Sequence, residues 1–112
     1  MEEKFLVVTS DNIKDYEINE FIGIVQGSTV RARNIGSDIF ARLKNLIGGE
    51  LVSYSNLLVV SRNQAFSRMI EDAKNKGANG VICFRFQTST IAEGASEILA
   101  YGTGVKINYE QN

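Results

Sequence analysis

The chain has no histidine, no proline and a single cysteine, Cys83, among its 112 residues. Without histidine it lacks the commonest general base and the commonest metal ligand. Without proline nothing marks a linker or a rigid recognition segment. One cysteine forms no internal disulfide, which suits a reducing compartment. Strong charge of either sign is missing too: 12 Lys and Arg stand against 13 Asp and Glu, a net charge of −1. Nucleic acid and anionic lipid are drawn to basic surfaces, so neither is an expected partner. No apolar run approaches the ~20 residues that span a bilayer. The segment MEEKFLVVTSDN is acidic where a secretory signal is basic. The expectation is a cytoplasmic protein without membrane contact.

These absences also narrow the chemistry. A transition-metal site of the usual kind needs several Cys or His ligands. Asp11 and Asp15, like Glu71 and Asp72, lack calcium-loop spacing and read as solvated surface charges. A symmetric ring could still gather one Cys or one Glu per subunit. Cys83 has no histidine to deprotonate it. Arg85, two residues on, shares its side of a regular strand and could lower the thiol pKa, yet packing in a wall is the simpler role. The phosphate-loop pattern is absent, and IGGE and YGTG read as a helix cap and strand packing. Arg31 and Arg33 share a strand face, with Arg42 and Lys44 near in sequence, but the aromatic residues sit on apolar faces instead of forming a stacking platform. No catalytic residues and no cofactor are indicated, so the chain is not expected to be an enzyme.

What is present is an ordinary globular composition, 44% hydrophobic and 22% charged. That length fits one domain over residues 1–112, large enough to bury roughly 60–70% of its unfolded surface. Phe5 to Thr9 predicts a short strand, followed by turn residues in SDNIKDYE. Ile18 to Arg33 is rich in β-branched residues. Gly23 and Gly27 within it suggest bulges or a hairpin turn in a long, bent strand pair. A first helix is predicted after Ser37, with Ile39, Phe40, Leu43, Leu46 and Ile47 at helical spacing and Gly48-Gly49 as its stop. A second starts near Ser53 or Ser55 and ends at Gly77, with Leu58, Arg62, Ala65, Phe66, Met69, Ile70 and Ala73 as its stripe. Val81 to Ile91 and Glu97 to Tyr109 predict two strands joined by a hairpin around Glu93-Gly94. In the first of them Ile82, Phe84 and Phe86 are expected beneath the helices, and Val81, Cys83 and Arg85 on the other side. The last strand has a large-residue side and a nearly bare one, Ile98, Ala100, Gly102 and Gly104, onto which another backbone or a ring could come close.

Two further features point outward. Leu57, Leu58, Val59 and Val60 cover nearly a full helical turn, and one core cannot receive four directions. The extra face calls for a covering loop or, preferably, a second subunit. Tyr54 and Arg62, eight residues apart, fall roughly on one helix face, as an anion clamp or as an arginine that neutralises a carboxylate at an interface.

With the segments in order, YEINEFIGIVQGSTVRARNIGSDIFARLKNLIGGE, then Tyr54, Arg62, Ala65 and Ala73, then KGANGVICFRF and AYGTGVKI resemble the YbjQ-like family over about residues 5–108. The resemblance implies an α+β subunit of the dodecin-like type, a mainly antiparallel sheet with two helices packed on it. It also implies a ring-shaped homo-oligomer, a pentamer, and no established enzymatic activity. The family's label of heavy-metal binding implies a metal ion or small ligand as partner. The chain departs from the pattern at Glu50, where a basic residue is common, and at Gln87, where an acidic one is common. Cys83 is not part of the pattern. The expected function is a small homo-oligomeric binding protein with Ser53, Tyr54, Arg62 and Arg85 near a shared pocket, orienting an anionic or polar ligand. Its alternatives are a scaffold ring and an enzyme with its site between subunits.

Overall fold

A computed structural model describes residues 4–32, 50–92 and 95–110. Four strands, β1 (Leu6–Val7), β2 (Glu17–Ala32), β3 (Gly80–Ala92) and β4 (Ala95–Asn108), form one sheet in the order β1-β3-β4-β2. β4 runs antiparallel to both β2 and β3, whereas β1 is parallel to β3. One helix, α1 (Glu50–Asn75), packs on this mixed sheet. The fold is α+β. The helix predicted between Ser37 and Gly49 lies outside the described residues, as do Glu93 and Gly94 of the predicted hairpin turn, although Ala92 and Ala95 pair on either side of it.

The chain is already helical at Glu50, ahead of the predicted start at Ser53 or Ser55. α1 ends as predicted at Gly77 (φ 91°). There Gly77 N donates to Lys74 O (3.1 Å) and Ala78 N to Ala73 O (2.9 Å), which satisfies two terminal carbonyls.

Ser61, Ala65, Met69 and Ala73 recur every four residues on α1 and are all buried. They form the stripe that meets the sheet, against Val25, Ile98 and Ala100. Three of the four are small, so the helix sits very close. A β-carbon on Gly27 of β2 would lie 2.2 Å from the Met69 amide nitrogen and 2.5 Å from the Ala65 carbonyl oxygen. Beside it, Thr29 Oγ1 donates to Ser61 O at 3.1 Å. Gly27 is therefore a close-approach glycine in a continuous strand, and the hairpin-turn alternative for Ile18 to Arg33 is overturned. Gly23 does mark a bulge: it has φ 126°, and the pairing with β4 slips between Phe21 and Gly23.

The bare side of β4 faces the helix layer, filled by Val25 and Ala78 over Gly104 and by Val81 over Gly102. A second core lies on the far face. Ile82, Val105 and Ile107 are covered there by Val8, Ile13, Tyr16 and Tyr109 from the chain's two ends. Tyr109 OH donates to Asn79 O (2.7 Å) and accepts from Leu6 N (3.0 Å), which ties these ends to the sheet.

β3 corrects one expectation. Its pairing with β4 jumps from Ile82↔Thr103 to Arg85↔Tyr101, and Cys83 has φ 56°. This bulge breaks the alternation. Val81 lies in the helix-side core and Ile82 in the far one, the reverse of the simple two-residue period. Beyond the bulge Phe84 faces the helix, as predicted, edge-on to Phe66 at 5.4 Å.

Gly27→Ala should destabilise the protein by about 3 kcal/mol, because the helix backbone, unlike a flexible side chain, cannot yield locally. Gly23→Ala, whose β-carbon meets nothing within 4 Å, should cost only about 1–2 kcal/mol, through its backbone conformation. Urea unfolding of both variants checks this, and equal losses would remove the close-approach reading.

Candidate functional site

β2 is an edge strand, and an edge presents unpaired backbone groups to solvent. On its outward side these belong to Ile24, Gln26 and Ser28. Three charged residues at a spacing of four reach them, Arg68 and Asp72 of α1 and Lys76 in the turn just past its end. Arg68 Nη1 donates to Ser28 O (2.6 Å), Gln26 N donates to Asp72 Oδ2 (2.9 Å), and Lys76 Nζ donates to Ile24 O (3.1 Å). Lys76 also pairs with Asp72 at 3.0 Å. The sequence plus–minus–plus along the end of the helix and the turn after it thus matches acceptor–donor–acceptor on the strand. Asp72, expected to be a solvated surface charge, instead has a specific backbone partner. The N–H of Gln26 holds its carboxyl below the ordinary value of 3.8; partial burial opposes this and Lys76 adds to it. A groove of about 410 Å³ lies along this edge, lined by Gln26, Ser28, Asp72, Lys76, Glu97 and Leu99 among others. It carries charges of both signs. Among the described residues no three His, Cys, Asp or Glu side chains stand close enough together to hold a metal ion.

Among the described residues, the far face of the sheet is covered at one end only. Past the residues that pack on Ile82, Val105 and Ile107, Phe21 is 65% and Ile24 70% exposed, and Val30 is exposed as well. Each pairs with a β4 residue, Val105, Thr103 or Glu97, on that same face. The N-terminal part of α1 also presents apolar side chains outward, with Val59 41% and Val60 47% exposed.

The residues expected at a ligand site fall on two sides of the sheet. Ser53, Tyr54 and Arg62 belong to α1, and Arg62 is exposed. The side chains of Ser53, Tyr54, Leu57 and Leu58 lie outside the described ones. Arg85 lies on the far face, opposite Tyr101, where its Nη1 donates to Thr9 O (2.9 Å) and Phe84 O (2.7 Å). Within one subunit Arg62 and Arg85 do not converge. The charged trio at 68, 72 and 76 went unread in the sequence. Its spacing of four was visible, but its partner, an edge-strand backbone, has no sequence signal.

Residues 5–108 match a family model described as "Putative heavy-metal-binding". A UPF0145 protein of Fervidobacterium nodosum is 52% identical over 102 residues, covering 91% of this chain and 94% of that one. A UPF0145 protein of Archaeoglobus fulgidus is 44% identical over 107 residues, covering 96% and 99%. Among solved structures, a protein of unknown function of the DUF74 family from Pediococcus pentosaceus superposes with a TM-score of 0.57 at 16% identity, covering 91% of this chain and 96% of that one. That likeness supports the fold alone.

A depressed carboxyl pKa contributes stability that is complete above the unfolded value and lost as pH falls through the folded one. Asp72 should therefore support the fold above about pH 4 and stop doing so in stronger acid. Wild type and Asp72→Ala should differ in urea midpoint at neutral pH and converge towards pH 2. A constant gap across that range would show that the carboxylate charge is not what matters.

Proposed function

The chain belongs to the YbjQ family, and from that premise we propose that it is a non-catalytic binding protein that works as a ring-shaped homo-oligomer, a pentamer of dodecin-like subunits in the cytoplasm. Its ligand, a metal ion or a small polar molecule, sits between subunits. One observation carries the reading: among the described residues apolar side chains are exposed in two separate places, Phe21, Ile24 and Val30 on the sheet and Val59 and Val60 on the helix. Two different patches on one subunit suit a head-to-tail contact, in which the helix of one copy meets the sheet of the next, and such contacts close into rings. Leu57 and Leu58 extend the helical patch in sequence.

Two further facts support placing the ligand between copies. Among the described residues a single subunit gathers no metal-ligand cluster. Arg62 and Arg85 lie on opposite sides of the sheet, so only a neighbouring copy brings one near the other. A polar or anionic ligand would be oriented there by the guanidinium groups, with Ser53 and Tyr54 of α1 as further donors. Among the described residues no helix is long and apolar enough to cross a membrane.

Native mass spectrometry of the purified protein reads the number of copies and any retained mass. Val60→Asp and Phe21→Asp, both at exposed positions, should each yield folded protein of lower mass, because a buried unpaired carboxylate costs several kcal/mol per interface. Calorimetry with Zn²⁺, Cu²⁺ and Ni²⁺ should give heat with the wild-type oligomer and none with the dissociated variants. Intact oligomers of both variants would refute the placement. An oligomer without metal heat or retained small molecule would leave the ring as a scaffold.

A further inference from the structure

Strand β2 is long, lies at the sheet edge and carries no charged residue from Ile22 to Val30, IGIVQGSTV. Such a segment is what another strand adds to most readily, since nothing repels an incoming backbone. Proteins usually guard it with charge in the strand itself. Here the charges come from elsewhere: Arg68 and Asp72 of α1, and Lys76 in the turn after it, bond to Ser28 O, Gln26 N and Ile24 O. We propose that these three residues mask a latent strand-addition site on β2, and that the occupant they exclude is β2 of a second copy.

The occupant follows from the strand's own composition. Two antiparallel copies of Ile22–Val30 centred on Gln26 set no like charges opposite each other, and exposed Ile24 and Val30 would lengthen the apolar face across the join. The mask takes half of the edge groups in its span. Of the six outward N–H and C=O groups at positions 24, 26 and 28, it takes both kinds, two carbonyls and one amide. An incoming strand needs the same groups in the same alternation. It cannot form its ladder while the helix side chains hold these. Position matters as well as charge: residues 68 and 72 project from one helix face, Lys76 follows in the turn beyond it, and the contact at Gly27 brings that face within reach. The device is independent of the ring proposed above, which uses the sheet face and not its edge.

The test has two readings. By amide hydrogen exchange, Gln26 N–H should be protected in wild type and exchange at least ~10-fold faster in Asp72→Ala, which removes a charge-assisted acceptor. By light scattering after gel filtration, Arg68→Ala/Asp72→Ala/Lys76→Ala should exceed the wild-type mass, in whatever assembly wild type forms. Adding Gln26→Lys, which sets lysine against lysine at the centre of the join, should restore that mass. Glu71→Ala, exposed on the same helix, should change neither reading. The proposal is overturned if the triple variant keeps its circular dichroism and the wild-type mass, or if it associates and Gln26→Lys does not reverse this, since association then comes through unfolding. Should the triple variant fail to fold, Asp72→Ala alone decides, with unchanged Gln26 exchange counting against the mask.

Discussion

The contact between helix α1 and Gly27 sets the dimensions of the subunit. A glycine in the middle of a strand lets the helix rest its backbone on the sheet, so the layers are closer than side chains of ordinary size allow. That spacing then selects the rest of the interface. The helix stripe has to be slim, and Ser61, Ala65 and Ala73 are; Met69, the one large member, is flexible enough to fill what gap remains. Below it β4 offers Ala100, Gly102 and Gly104, a floor without bulk. The same closeness sets the reach of the polar residues. Asp72 has the shortest charged side chain there is, yet it bonds to the Gln26 amide at 2.9 Å. At a normal layer spacing only long side chains such as Arg68 and Lys76 would arrive, and the donor in the strand edge would go without its acceptor.

The other fixed point is the bulge at Cys83. A non-glycine residue at φ 56° carries roughly 1–2 kcal/mol of backbone cost. Two hydrogen bonds to the N-terminal segment hold it, Cys83 N to Ser10 O and Phe84 N to Val8 O. The bulge moves β3 by one residue relative to its pleat, so that Val81 and Phe84 both face the helix and Ile82 and Cys83 both face away. Without it, Phe84 would leave Phe66 and join the far face. The only cysteine of the chain is thus explained by conformation before reactivity: a small, unbranched side chain is tolerated in a left-handed bulge, and a β-branched one is not.

These two features mark where sequence reasoning stops. The strands and the helix end at Gly77 were legible because periodicity, turn residues and capping act locally. Gly27 was visible as an oddity in a strand, but a glycine that makes a bulge and one that admits a helix look alike until the partner is known. At Cys83 there was no signal at all, because the residue type is not one that usually takes positive φ. The assignment of faces holds at Cys83 and beyond but fails before it, at Ile82 and Val81, as any period-two reading must across an undetected insertion. For the candidate ligand residues the limit is different. Arg62 and Arg85 could be named as unusual polar residues, but their separation by the thickness of the sheet follows from topology, which spacing along the chain does not encode.

That separation bears on what the family's heavy-metal label can mean for this chain. With one cysteine and no histidine in the whole sequence, a soft metal has at most one thiolate and no imidazole per copy. A tetrahedral thiolate or imidazole site cannot be built inside one subunit, whatever its fold. Symmetry can multiply a single ligand, as a ring does at its axis, and an interface can join residues that the sheet keeps apart. Either way such an ion would belong to an assembly, and its ratio to protein would be set by the number of axes or interfaces, not by the number of metal motifs in the chain. Hard oxygen ligands remain available in the carboxylates, but Asp72 is already committed to Gln26 and Lys76. Drawing it into a metal site would uncover the β2 edge, so ligand binding there and the integrity of that edge oppose each other.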